Sequence, residues 1–179
     1  MRRLIPRRLV VVVALLLAAA TGCKREQRAI EKATVEQQPE LATFVHVADP
    51  KTSFQLLEGF YALEGNTWRW TAKKFSVVLR APAGAQEKGA TLRLKLNIPE
   101  AVFSRIGAQT LTAEAGGVTL PPQRFDKPGD YEYVRDVPAH AFRRDSLIVS
   151  FALDKALPPG DVDQRELGII VTAIGLDPK

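Results

Sequence analysis

The stretch Thr91-Leu92-Arg93-Leu94-Lys95-Leu96-Asn97-Ile98 alternates strictly between apolar and polar side chains. Successive side chains of an extended chain leave opposite faces. Leu92, Leu94, Leu96 and Ile98 therefore share one face and Arg93, Lys95 and Asn97 the other, the pattern of a half-buried strand. The same parity recurs in Lys74 to Arg80, with Phe75, Val77 and Leu79 inward, and in Ser146 to Asp154, with Leu147, Val149, Phe151 and Leu153 inward.

Turn-forming clusters separate these runs: Ala81-Pro82-Ala83-Gly84, Gly116-Gly117, Pro121-Pro122, Lys127-Pro128-Gly129-Asp130 and Pro158-Pro159-Gly160-Asp161. Their spacing leaves no room for long helices between strands. Weaker strands fit Thr52 to Leu57, Thr110 to Ala115, Val118 to Pro121 and Tyr131 to Val137. Leu167 to Ile174 is apolar on both parities and reads as a central strand covered on both sides. About eight short antiparallel strands predict an all-β, two-sheet β-sandwich of jelly-roll type over residues 44–179, with an up-and-down barrel as the alternative. No internal repeat suggests a propeller or solenoid.

Upstream, the basic head Arg2, Arg3, Arg7 and Arg8 precedes an apolar run from Leu9 to Ala20. That run is too short to span a bilayer, which takes about 20 apolar residues, and it suits a cleaved export signal over residues 1–22. Small residues Ala20, Thr21 and Gly22 lead into Cys23, the only cysteine in the chain. This resembles the bacterial lipobox, with Ala20 where leucine is commoner. The resemblance implies that Cys23 is acylated, palmitate being one such chain, and becomes the mature N-terminus on a membrane. An ordinary signal cleavage that leaves a free thiol is the alternative. Residues 23–43, with Gln27, Glu31, Lys32, Glu36, Gln37, Gln38 and Pro39, read as the lipidated cysteine and a polar tether. Lys24 stands after the cysteine where aspartate would mark retention, which by resemblance to envelope sorting favours the outer membrane over the inner.

The formal charge of +5 falls to +1 once the four arginines of the leader are removed, so a nucleic-acid surface is not indicated. His46 and His140 have no second ligand at metal spacing. Asp161 and Asp163 lack the closing glutamate of a calcium loop. No metal or other cofactor is therefore expected. There is no Gly-x-Ser-x-Gly elbow, and Gly116-Gly117 opens no helix that would cradle a phosphate. Arg143-Arg144 reads as a solvated turn, with contact to an anionic surface as the alternative.

Two blocks stand out: Gly59-Phe60-Tyr61 with Glu64 and Trp68-Arg69-Trp70-Thr71, and Asp163-Gln164-Arg165-Glu166-Leu167-Gly168-Ile169. Together they resemble bacterial β-sandwich modules similar to galactose-binding-like jelly rolls, which occur in cell-envelope proteins and beside glycosyltransferase domains. The likeness covers residues 52 to 176. It implies a fold and an envelope context, and juxtaposes the first and last strands. These 179 residues hold no enzyme domain beside the module, so a neighbour's activity does not transfer.

Trp68 and Trp70 share a strand face opposite Arg69. Paired indoles can stack on sugar rings, which makes Trp68 and Trp70, with Arg69, candidate ligand-binding residues, or else plug one end of a sandwich. Glu64, Arg165 and Glu166, with Arg69, are candidate structural ion pairs. Nothing in the sequence selects two carboxylates flanking a glycosidic bond. The sequence therefore points to a membrane-anchored, non-enzymatic envelope lipoprotein that binds a glycan or an envelope protein. A structural or assembly lipoprotein pairing with another chain is the second reading, and a glycoside hydrolase the remote one.

Overall fold

In the computed structural model the alternating stretch is a strand whose Leu92, Leu94, Leu96 and Ile98 are buried. Residues 39–161 and 163–179 are described; the signal segment, Cys23 and the tether up to residue 38 lie outside the described residues. The domain, Leu41–Lys179, holds nine strands: β1 Phe44–His46, β2 Leu56–Glu64, β3 Trp68–Arg80, β4 Ala90–Ile98, β5 Gln109–Ala115, β6 Val118–Phe125, β7 Gly129–Val137, β8 Ser146–Leu153 and β9 Ile170–Pro178. They pair antiparallel in the order β6-β5-β8-β3-β9-β4-β7, with β2 on β3 and β1 on β9. The fold is all-β.

The thirteen-residue β3 joins the two layers. Its first part pairs with β9, at Arg69↔Val171 and Trp70↔Ile170, and its second part with β8, from Lys74↔Ala152 to Arg80↔Ser146. Layer β6-β5-β8-β3-β2 thereby folds over layer β9-β4-β7. Tyr133 of β7 and Phe151 of β8 are well separated in the sheet order, yet their rings meet edge-on at 6.3 Å. Phe75 stacks on Phe151 at 4.8 Å, and Phe60 meets Phe75 edge-on at 5.4 Å. Such a dry, interdigitated layer is what alternating side chains from two facing sheets produce.

The two ends of the strand order also meet. Phe125 of β6 and Tyr131 of β7 lie 4.8 Å apart. Tyr133 Oη donates to Pro121 O at 2.9 Å, and Arg135 donates to the carbonyls of Pro121 and Pro122 at 2.8 Å each. Pro121 and Pro122 have no N–H, so a regular backbone ladder cannot form at this edge, and side chains stitch the seam instead. Burial raises the Tyr133 phenol above its ordinary range, and the nearby Arg135 guanidinium partly offsets the shift.

Several boundaries differ from the sequence expectation. Strand β1 falls where no strand is expected; it takes over beside β9 where β3 departs, with Phe44 opposite Gly175. Strand β2 starts at Leu56 because Ser53–Gln55 forms a 3-10 turn, and β2 then runs on to Glu64 through three register shifts. Strand β9 starts at Ile170 because Leu167 instead pairs with Leu157, and apolar burial continues through Ile174 and Leu176. Two short helices, α1 Ala85–Lys88 and α2 Glu100–Ile106, fall where the sequence reading places no element.

Candidate functional site

The two sequence blocks meet in space and lock one end of the domain. Thr71 N donates to Ile169 O at 2.9 Å, Gly168 N to Thr71 O at 2.7 Å, and Ile169 N to Thr71 Oγ1 at 3.2 Å. A Cβ on Gly168 would sit 2.7 Å from the Ala72 carbonyl oxygen, so only glycine permits this approach. Tyr61 Oη donates to Glu166 O at 2.8 Å, and the Glu166 carboxylate accepts from Lys73 N at 2.8 Å.

Arg165 is the hub of this lock. It binds Glu64 Oε1 at 2.7 Å and Asp163 Oδ2 at 2.8 Å, and its guanidinium lies 5.2 Å over the Tyr61 ring. Hydrogen bonds from the Arg165 side chain and backbone hold the Asp163 carboxyl down to about 2, and Arg165 is correspondingly raised, through Asp163 first and Glu64 second. Arg69 spends its donors on Val47 O at 3.0 Å and Tyr61 O at 2.9 Å. These contacts tie loop to strand; of the four candidate ion-pair residues, Glu64 and Arg165 pair with each other, while Arg69 and Glu166 bond to backbone groups instead.

Trp68 and Trp70 are both half-buried in β3. Trp68 lays its ring on Gly65 of the β2–β3 hairpin, where any Cβ would overlap the indole. Trp70 stands opposite Ile170 of β9. The His46 ring tilts against Phe44 at 5.2 Å, and Arg143 and Arg144 are exposed. No group of three or more His, Cys, Asp or Glu among the described residues could hold a metal, and no described helix is long and apolar enough to cross a membrane.

The most open chemistry lies on the outer face of the larger layer. Phe75, Val77, Val149, Phe151, Leu111 and Ala113 point into the core, so the alternate residues of the same strands face outward. Register aligns them in rows. One row crosses five strands as Thr119, Glu114, Ser150, Ser76 and Glu58; a second runs Thr112, Ala152 and Lys74. The two rows line a trough of about 370 Å³.

Along one side of the first row lie Ile148, Val78 opposite it, and Leu57 at the register shift beside Glu58. Ile148 is 52% and Leu57 45% exposed, which is unusual for such side chains in this domain. Among the described residues Glu58, Lys74 and Glu114 make no ion pair, and the hydroxyls of Ser76, Ser150 and Thr119 have no hydrogen-bond partner in the fold. Neither indole lines this trough.

A second depression of about 430 Å³, on the outer face of β4, β7 and β9, is lined by Lys95, Asn97, Asp130, Glu132 and Thr172. Its groups are largely spent on one another and their neighbours. Asn97 Nδ2 donates to Asp130 Oδ1 at 2.7 Å, and Arg93 bridges Glu132 at 3.4 Å and Asp177. Those carboxylates, the Asp177 hydrogen bond above all, raise the Arg93 guanidinium. The unspent groups of the first trough make it the candidate site. Sequence reading misses it because its five strands are adjacent in space but not in order along the chain.

No protein-family model matches the chain, and no curated protein matches it. Among solved structures, the mannan-recognising carbohydrate-binding module TmCBM27 is similar with a TM-score of 0.45 at 11% identity, over 78% of this chain and 98% of its own. A second is BtGH115A, a family GH115 4-O-methyl-alpha-glucuronidase with specificity for decorated arabinogalactans. It is similar with a TM-score of 0.40 at 9% identity, and the match takes in 76% of this chain but 17% of the enzyme. At these scores and identities neither likeness bears on which ligand this chain takes.

Proposed function

We propose that the protein is an exported lipoprotein, held on the outer membrane through Cys23, whose β-sandwich binds a glycan in the trough and performs no catalysis. One observation carries the binding site: the five-strand row Thr119, Glu114, Ser150, Ser76 and Glu58 presents unpartnered hydroxyls and carboxylates in the trough, with the exposed aliphatic side chains of Ile148 and Leu57 just outside its lining. A sugar ring has hydroxyls at its edge and C–H groups on its faces. Polar groups in the trough with aliphatic side chains alongside it suit both at once. The anchor rests on the leader and Cys23 of the sequence.

Spacing supports binding over hydrolysis. Glu58 and Glu114 are three strand intervals apart in the sheet, about 14 Å at ~4.8 Å per interval. Paired glycosidase carboxylates stand roughly 5–9.5 Å apart. Ser76 and Ser150 face each other, but no histidine lines the trough to activate either.

The test is a block of the site. Ser150→Trp places an indole at the centre of the row, on an outward position that the core does not use. Screened against envelope polysaccharide fragments, the wild-type protein should bind, and Ser150→Trp should weaken that binding about tenfold or more, roughly 1.4 kcal/mol. Its melting temperature should be unchanged. Undiminished binding by a folded Ser150→Trp protein would place the ligand elsewhere.

A further inference from the structure

We propose that the trough selects glycans carrying free amino groups, with Glu58 and Glu114 as the groups that recognise the positive charge; this rests on the glycan reading of the same site. Both carboxylates are exposed, and neither has an ion-pair partner among the described residues. Glu64 and Asp163 are paired with Arg165, Glu132 and Asp177 with Arg93, and Asp136 with Lys179, while Glu87, Glu100, Asp145 and Asp161 are exposed and make no ion pair among the described residues. Glu58 and Glu114 differ from those four in sharing one floor with free hydroxyls. In the trough the charge is left for an incoming ligand.

Each carboxylate has hydroxyls in register beside it. Thr119 and Ser150 flank Glu114, and Ser76 faces Glu58. An ammonium group has three donors and no acceptor, so a carboxylate with a neighbouring hydroxyl oxygen offers the acceptors it needs. Lys74 is the one cation lining the trough, and it lies in the adjacent row opposite Ala152, so the two carboxylates leave the floor net negative. An acidic glycan would meet two like charges for one opposite. The two glutamates sit near opposite ends of the row, which suits an extended chain bearing repeated amines better than a single charged sugar.

The experiment uses the full-length protein in detergent micelles, titrated with chitosan oligomers, with their N-acetylated counterparts, and with oligogalacturonate. At low salt the chitosan oligomers should bind about five- to tenfold more tightly than the N-acetylated ones, as two solvent-exposed ion pairs allow, and oligogalacturonate should bind least. The preference should collapse at about 0.5 M salt, where screening shortens to a few ångströms, and in Glu58→Gln/Glu114→Gln.

N-acetylated or acidic oligomers binding as tightly as the amines would overturn the inference. If Ser150→Trp still abolished that binding, the trough would remain the glycan site. Polylysine binding that depends on both glutamates, with no oligosaccharide bound, would also overturn it, in favour of a cationic peptide. Amine-selective binding untouched by Ser150→Trp would remove the trough reading itself.

Discussion

Phe151→Ala should cost the domain about 3–5 kcal/mol, roughly a fifth or more of the stability usual for a domain of this size. Phe151 is 2% exposed, stacks on Phe75 within its own layer and meets Tyr133 of the facing layer. Removing the ring deletes its transfer energy and leaves a cavity where three strands from two layers converge, because neighbours fixed in a sheet collapse poorly into the space. Urea unfolding of the two proteins measures the difference. A loss below about 1 kcal/mol would mean that the layers are not held together at this point.

Gly59→Val should cost about 2–4 kcal/mol for a different reason. Gly59 has φ +71° within β2, a backbone region that β-branched residues scarcely enter, and a Cβ there would overlap the Lys74 carbonyl oxygen of β3. Strain and overlap act together on an edge strand that pairs only with β3, so the chain relieves them by detaching β2. Amide exchange in Leu56–Glu64 should therefore rise more than exchange in β8. Because Glu58 travels with β2, binding in the trough should weaken as well. Unchanged stability, or uniform exchange across both strands, would contradict this.

How much of the fold is legible in the sequence depends on what each strand faces. The alternation of residues 91–98, 74–80 and 146–154 carries over into β4, the second half of β3 and β8, because each buries one face and leaves the other in water. Strand β2 breaks that rule. Its three register shifts and Gly59 scramble the parity, and Leu57 and Glu58 are both exposed where the pairing skips a residue. β1 is three residues long and owes its place to the gap that β3 leaves beside β9, which no local pattern records.

The site is less legible than the fold. Parity places Ser76, Glu114 and Ser150 outward, but only the order β6-β5-β8-β3-β2 makes them neighbours, and strand order is set by long-range packing. The aromatic and charged blocks draw attention by their composition. In the structure Tyr61, Glu64, Arg69, Arg165 and Glu166 hold the loop after β8 against β2 and β3.

The most direct test of the binding account is a residue-by-residue map of the contact. Backbone amide shifts of isotope-labelled protein, monitored through titration with the tightest-binding glycan, should move most at Ser76, Glu114 and Ser150, with the β4 and β7 face unmoved. Shifts centred on Trp68 to Trp70, or on Lys95 and Glu132, would contradict it.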